Sequence, residues 1–254
     1  MSYTKDDAFR HVLSMDLHTD AFRYAILDPA AKKVIKSGHH EIPSFSKDKI
    51  QPFLDDPIFQ YEFQNYSLAA GGSRNTLIPT DLFSHTAPKD VFKLNYPLPH
   101  DNLDYNRIPE LGIVNIYELP LWIKSLFVIK FPRVKITHRS TVLLKGIFDQ
   151  PVFSPKIHLL VENDQFYYII TNRSKLIYYN RFDYKELSDI VYYLLFVLEQ
   201  KELELKDFEI KVYGQSTTWD QKSAFEDLIK TTITLSPLVE KGELFLLSKQ
   251  LLCV

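Results

Sequence analysis

The sequence predicts an α/β protein in which one architecture is built twice. Three observations point there. The chain begins with three short strands joined by turns and then alternates helix with strand. Near residue 156 the same order begins again. Its 254 residues, 45% of them apolar, suit one large domain or two small ones and exclude a disordered chain.

The first strand is His11-Val-Leu-Ser-Met-Asp16, followed by the polar turn Leu17-His-Thr-Asp20. Ala21-Phe-Arg-Tyr-Ala-Ile-Leu27 is the second strand and residues 33–42 the third, an antiparallel meander. A helix over 47–54 opens at Ser46, and a strand over 61–68 leads to the turn Gly71-Gly72-Ser73. Thr76-Leu-Ile is extended, and a helix over 86–96 tolerates Pro88 in its first turn. Residues 97–109, rich in Pro, Asp and Asn, read as a loop. A strand over 113–118, a helix from Pro120 to Phe131, a strand over 133–138 and a helix capped by Ser140 complete the first half.

The second half repeats the pattern. Strands over 156–162, 165–171 and 175–182 are joined by Asn163-Asp164 and Asn172-Arg-Ser174. A long helix over 184–200, a strand over 208–213, a helix over 219–230 and a last extended or helical piece over 243–247 follow. Val12-Leu-Ser-Met-Asp-Leu-His-Thr-Asp-Ala-Phe-Arg-Tyr aligns with Ile157-His-Leu-Leu-Val-Glu-Asn-Asp-Gln-Phe-Tyr-Tyr as strand, acidic turn and aromatic strand. Meander, helix and strand, given twice, is the order of a duplicated ribonuclease-H-like fold. The expected division is a first lobe over 1–153, with an inserted segment near 60–110, and a second lobe over 154–254, with a cleft between them.

This order resembles the actin-like ATPase superfamily, most nearly the actin-like proteins of pilus assembly and cell division. Ile113-Val-Asn-Ile-Tyr-Glu-Leu-Pro120, the helix after it and Val134-Lys-Ile-Thr-His-Arg-Ser-Thr-Val-Leu-Leu144 follow that superfamily's order. Thr76-Leu-Ile-Pro-Thr-Asp-Leu-Phe83 and Ile136-Thr-His-Arg-Ser-Thr141 make the chain look like a bacterial domain-of-unknown-function family with this fold. The resemblance implies a phosphate loop in each meander turn and a glycine run on the adenosine side. In Asp16-Leu-His18-Thr19 the acid and hydroxyl remain, but His18 stands where glycine belongs. Val161-Glu162-Asn163-Asp164 has no glycine, and Val212-Tyr-Gly214-Gln-Ser216 keeps one.

Phosphate cradling needs several backbone N–H groups aimed at one anion, closer than a side chain allows. Seven glycines in the chain are few against the usual ~7%. Glu162 and Asp164 would repel a triphosphate, and Asp16 alone is a weak magnesium site without substrate phosphates. ATP hydrolysis is therefore expected to be lost, with no cofactor and doubtful ATP binding. Asp16, Glu162 and Asp164 also raise a two-metal nuclease, but these turn acids fall on different lobes.

The remaining chemistry is sparse. Eight scattered histidines lack metal spacing, and adjacent His39 and His40 point to opposite faces of a strand as surface residues. Gly71-Gly72-Ser73 lacks the lysine of a phosphate loop. Cys253, the single cysteine, excludes an internal disulfide and suits a reducing cytoplasm. The opening Met1-Ser-Tyr-Thr-Lys lacks an export pattern, and the longest apolar run, 190–198, is half of a bilayer crossing. That run is apolar all round and is expected to be covered on every side by sheet and helices, the alternative being a face capped by a partner.

A formal charge of −2 argues against nucleic acid as the partner. Charge is nevertheless uneven. No acid lies between Glu118 and Asp149, while residues 183–209 carry eight acids against three lysines. Such asymmetry fits an ordinary solvated face, an anionic partner or two mutually attracting surfaces. The reading is thus a non-catalytic, actin-like scaffold or regulator in the cytoplasm with a protein partner. The alternative is a degenerate nucleotide binder using the cleft. Candidate ligand residues are Asp16, Thr19, His138, Arg139, Ser140, Thr141, Asn163, Asp164, Gly214 and Ser216. A ligand or acidic segment is expected to dock around His138 to Thr141, at a strand exit and a helix start. The competing expectation is that Arg139 pairs with an acid of its own chain and so holds the lobes together.

Overall fold

The computed structural model describes residues 3–72, 74–83, 88–98, 102–151, 153–214, 222–230, 233–235 and 244–254. The chain divides into two units, Met1–Asp149 with Leu246–Val254, and Gln150–Phe245. The expected boundary near residue 153 differs by a few positions. The larger difference is that Leu246–Val254 belongs with the first unit, whereas the whole of 154–254 was assigned to the second lobe.

After a short helix α1 (Lys5–Ala8), the first unit forms the meander β1 (Val12–Leu17), β2 (Ala21–Asp28) and β3 (Lys33–Glu41). Helix α2 (Lys47–Ile50) runs on as 3-10 turns, because Pro52 cannot donate to a helical ladder. Then come β4 (Asn65–Ala70), β5 (Asn75–Pro79), α3 (Pro88–Asn95), β6 (Leu103–Ile108), β7 (Ile113–Glu118), α4 (Leu121–Lys130), β8 (Val134–His138) and α5 (Arg139–Phe148). The main sheet has the order β3-β2-β1-β4-β8, antiparallel in the meander and parallel from β1 to β8. Strands β1 and β2 are buried along almost their whole length, since both faces of the sheet are covered.

The two faces differ in chemistry. Leu13, Met15, Leu17, Phe22, Tyr24 and Leu68 pack with Phe59, Ile123 and Phe127 in an apolar core. The alternate positions, Ser14, Asp16, Arg23 and Ser67, are polar and equally buried. That face is closed by α5 and by the returning segment, whose 3-10 turn Gln250–Leu252 packs on β1 and β4. Ser14 Oγ donates to the Leu247 carbonyl at 2.7 Å, and Gln250 Nε2 donates to the Met15 carbonyl at 2.8 Å.

Strands β5, β7 and β6 make a separate antiparallel sheet, with α3 placing Phe92 on its core. The expected loop over 97–109 therefore contains a strand. Its polar side chains find distant partners: Asp104 pairs with Lys124 at 2.7 Å, and Asn106 Oδ1 accepts the His138 N–H at 2.8 Å.

The second unit comprises β9 (Lys156–Val161), β10 (Gln165–Asn172), β11 (Lys175–Asp183), α6 (Leu187–Gln200), β12 (Glu209–Gly214), α7 (Lys222–Ile229), β13 (Ile233–Leu235) and α8 (Leu244–Lys249), within which the unit boundary falls. Its sheet order, β11-β10-β9-β12-β13, is that of the first sheet. The likeness extends to single bonds. His18 N–H donates to Ala21 O and Glu162 N–H to Gln165 O, both at 2.9 Å. Ile42 N–H reaches Asp20 O as Tyr184 N–H reaches Asp164 O. Register shifts fall between Ile26 and Leu27 and between Ile170 and Thr171, at matching positions.

Three further readings change. Helix α5 is capped by His138, whose ring Nδ1 accepts the Ser140 N–H at 3.2 Å, and not by Ser140 itself. Helix α6 buries Ile190, Leu194 and Val197 but exposes Tyr192, Leu195 and Phe196, so among the described residues it is covered on one side only. The extended or helical piece near 243–247 is the helix α8, and β13 is a strand that the composition did not reveal. His40 is half-buried, its ring stacked on Phe53 at 4.6 Å between centroids, while His39 is exposed.

Candidate functional site

Asp16 is the penultimate residue of β1 and faces the polar side of the sheet. Strand pairing sets Arg23 of β2 opposite it, and Ala69 of β4 on its other flank. Arg139 begins α5 directly beyond β8, with β4 lying between it and β1. On β4 the small residue Ala69 is paired with Asp16 and stands between the two at that level. Arg139 Nε donates to Asp16 Oδ1 at 2.7 Å and a terminal nitrogen donates to Oδ2 at 3.2 Å. Arg23 adds a contact of 3.6 Å to Oδ2. All three are nearly out of water, at 2% exposure for Asp16, 4% for Arg23 and 1% for Arg139. A forked guanidinium matches a carboxylate's two oxygens, so this pair is both oriented and charge-assisted.

A second polar cluster adjoins it. His138 Nδ1 accepts from the Ser140 N–H and, at 3.2 Å, from Asn115 Nδ2. A backbone amide can only donate, so Nδ1 is the bare nitrogen and Nε2 carries the proton, which it gives to the Gly72 carbonyl at 3.3 Å. Asn115 Nδ2 also donates to Thr141 Oγ1 at 3.0 Å, and its Oδ1 accepts from Asn75 at 2.9 Å. Tyr117 tilts over the imidazole with ring centroids 4.7 Å apart.

Gly71 makes room for that ring. Its φ of +132° suits glycine alone, and a Cβ there would lie 2.1 Å from His138 Cδ2. Gly71→Ala is expected to cost about 2–4 kcal/mol, from backbone strain and the displaced hydrogen bonds. Urea unfolding checks this, and a loss below about 0.5 kcal/mol would show that the ring has space to move.

The candidate residues thus separate. Asp16, Arg139, His138, Ser140 and Thr141 lie together in the first unit, each at most 2% exposed. Buried to that degree, His138 to Thr141 form an internal hydrogen-bonded network. Arg139 pairs with an acid of its own chain, within the first unit. Thr19 lies in the turn after β1, where His18 Nδ1 contacts Asp20 Oδ1 at 2.5 Å. Asn163 and Asp164 occupy the matching exposed turn of the second unit, and Gly214 ends β12. Ser216 lies outside the described residues.

Asp16 itself is in a strand, and its counterpart by register is Leu160, not a turn residue. The duplication kept the backbone and changed the chemistry. Where the first unit has Ser14, the second has His158, which bonds Tyr213 at 3.0 Å and Thr171 at 3.1 Å. Burial, reinforced by Lys211 and Lys156, pulls its pKa down to about 3 and keeps it neutral.

Among the described residues no group of three or more His, Cys, Asp or Glu is placed to hold a metal ion. No helix among them is long and apolar enough to cross a membrane. Burial raises the Cys253 thiol pKa, which leaves it a packed and unreactive group.

Two participants went unnoticed in the sequence, Arg23 and Asn115. Arg23 was accessible to arithmetic: in a hairpin closed by His18 and Ala21, position 16 faces position 23. Asn115 had no such signal, because its partners come from β5, β8 and α5.

A family model described as "Protein of unknown function (DUF3822)" matches residues 3–231. No curated protein matches the chain. Among solved structures, a Bacteroides thetaiotaomicron protein with actin-like ATPase fold and unknown function superposes with a TM-score of 0.83. It is 19% identical, over 98% of this chain and 99% of that one. The PilM-PilN type IV pilus biogenesis complex follows at 0.62, with 10% identity over 95% and 98%. The ethanolamine utilization protein EutJ from Carboxydothermus hydrogenoformans gives 0.53, with 8% identity over 95% and 89%. At these identities the likeness shows the fold, which is actin-like.

Proposed function

Because the chain belongs to the DUF3822 family, whose description assigns no activity, we propose a role from its own residues: a non-catalytic protein of actin-like fold that acts by binding a macromolecular partner. The observation that carries this reading is the state of Asp16. In the superfamily that the sequence resembles, this acid serves the nucleotide's metal and phosphates. Here its oxygens are taken by Arg139, at 2.7 and 3.2 Å, and it is sealed from solvent. A guanidinium standing where a cation would bind neutralises the carboxylate without nucleotide. Extracting Asp16 from that pair to serve a metal would leave Arg139 buried without this partner, which is costly.

The turns support the same reading. His18 fills the place of a glycine, and Glu162, with Asp164, puts negative charge where a phosphate would approach. A partner-binding role is supported by analogy: a solved neighbour of this fold, PilM, is in a complex with PilN. A cytoplasmic setting suits a chain with a single, buried cysteine.

Titration calorimetry of the full chain with ATP and magnesium, paired with a phosphate-release assay, tests the proposal. No saturable heat and no turnover above a mock preparation are expected. Stoichiometric binding, or turnover lost in Asp16→Asn, would overturn it and restore an enzyme or a nucleotide sensor.

A further inference from the structure

Helix α6 leaves an apolar face open to solvent. Tyr192, Leu195 and Phe196 are 61, 45 and 44% exposed, and the rings of Tyr192 and Phe196 stack with centroids 5.8 Å apart. Their spacing, i, i+3 and i+4, makes one stripe opposite the buried Ile190, Leu194 and Val197. The stripe is anchored to the core through rings. Tyr192 meets Tyr193 at 5.4 Å, Tyr193 stacks on Phe182 at 4.3 Å, and Phe182 packs on the buried Phe166 at 5.6 Å. Aromatic side chains held in this way lose little freedom on contact, and an exposed apolar stripe marks an interaction surface.

The surrounding charge selects what can cover it. Helix α6 carries two acids, Asp189 and Glu199, and no lysine, arginine or histidine. Glu199 lies on the stripe itself, one turn beyond Leu195 and Phe196. Lys185 and Glu186 precede the helix, and Lys201 and Glu202 follow it, Lys201 lying over the Tyr178 ring of β11 at 5.8 Å. The flanks are balanced: Arg181 pairs with Asp183 at 3.2 Å, and about α7 Lys222 and Lys230 stand against Glu226 and Asp227. The charge on the stripe is therefore acidic. It repels nucleic acid, anionic lipid and a second copy of the same face. It suits an apolar segment edged with lysine or arginine, and anchors at i, i+3 and i+4 suit a helix laid along α6.

We infer that the α6 face seats an amphipathic helix of a partner protein, its apolar side on Tyr192, Leu195 and Phe196 and its lysine or arginine side chains toward Asp189 and Glu199. The inference rests on the partner-binding reading above and names the partner's chemistry and its place on this chain. The aromatic centre supplies the affinity, and the acids set orientation and the rate of encounter.

Fluorescence anisotropy on the full chain tests it, with a labelled peptide of about 14 residues in which leucine and lysine follow a helical pattern. The same pattern in leucine and glutamate is the comparison. Saturable one-to-one binding of the lysine peptide, weaker in high salt, and no binding of the glutamate peptide are expected. Phe196→Ser should weaken binding by about tenfold or more, and Glu199→Lys should weaken it and flatten its salt dependence. Ile129→Ser, at a 78% exposed apolar position on α4, should leave binding unchanged. Circular dichroism should match the parent in each variant, and Tyr192→Ser replaces Phe196→Ser if that variant folds poorly. A lysine peptide that does not bind would overturn the inference. So would equal binding of both peptides, or a loss in Ile129→Ser as large as in Phe196→Ser, since either means a generally adhesive surface. A mass that rises with chain concentration in sedimentation and falls back in Phe196→Ser would also overturn it, because a second copy then occupies the face. These outcomes leave the partner-binding reading intact, which fails instead on binding of ATP and magnesium in calorimetry.

Discussion

Asp16→Ala is expected to destabilise the first unit by about 3–5 kcal/mol, the range seen when one partner of a buried ion pair is removed. Among the described residues Asp16 is the ion-pair partner of Arg23, and it takes two hydrogen bonds from Arg139. Alanine leaves two guanidinium groups facing each other at 1 and 5% side-chain exposure, beside a void. Asn, which keeps the shape and loses the charge, should recover only part of the loss. Arg139→Met should cost less than either, because Arg23 still faces the carboxylate. Urea unfolding of the three variants gives the order. A functional acid would behave in the opposite way, since removing it relieves strain as often as it destabilises. If Asp16→Ala unfolds within about 0.5 kcal/mol of the parent, the pair is not holding the sheet and Asp16 is available to a ligand.

Ending the chain at Phe245 is the other change with a large expected effect. It removes Leu246 and Leu247, at 4 and 1% exposure, from the polar face of the first sheet. Two buried leucines are worth about 3–6 kcal/mol together. Ser14 and Gln250 contacts go with them, leaving the buried Ser14 hydroxyl without the Leu247 carbonyl. The sum is a large share of the about 5–15 kcal/mol that ordinary domains have. Calorimetry should show the transition of the first unit lowered or lost while that of the second unit persists. An unchanged thermogram would mean that the segment merely rests on the sheet.

Much of this fold could be read from turns and periodicity. The repeated strand lengths around His18 to Asp20 and Glu162 to Asp164 give the order of the three meander strands twice, because hairpin geometry is local. What could not be read is non-local. Strand β6 hides in a run of Asp, Asn and Pro because its polar groups are satisfied by Lys124 and His138, far away in the chain. The His138 cap depends on the ring being held by Gly71, Asn115 and Tyr117, whereas Ser140 is the residue that propensity favours. Tyr192 and Phe196 count as core by hydropathy, yet a sheet covers only one side of α6. At the site, the motif logic found Asp16 and Arg139 separately. Their pairing needed the knowledge that β4 runs between them and puts only the small Ala69 at the level of Asp16.

The return of Leu246–Val254 to the first unit also sets an order of events during synthesis. Residues 1–149 leave the ribosome well before the segment that seals the polar face of their sheet. Until then Ser14, Asp16 and Arg23 have an open side, and the nascent first unit waits in an unfinished state while the second, whose strands and helices are contiguous, can form in one pass. The pairing of β1 with residues some 230 positions later is the kind of long closure that slows folding. A polar, charged face is a safer surface to leave open during that interval than an apolar one, since it stays hydrated and does not recruit neighbouring nascent chains.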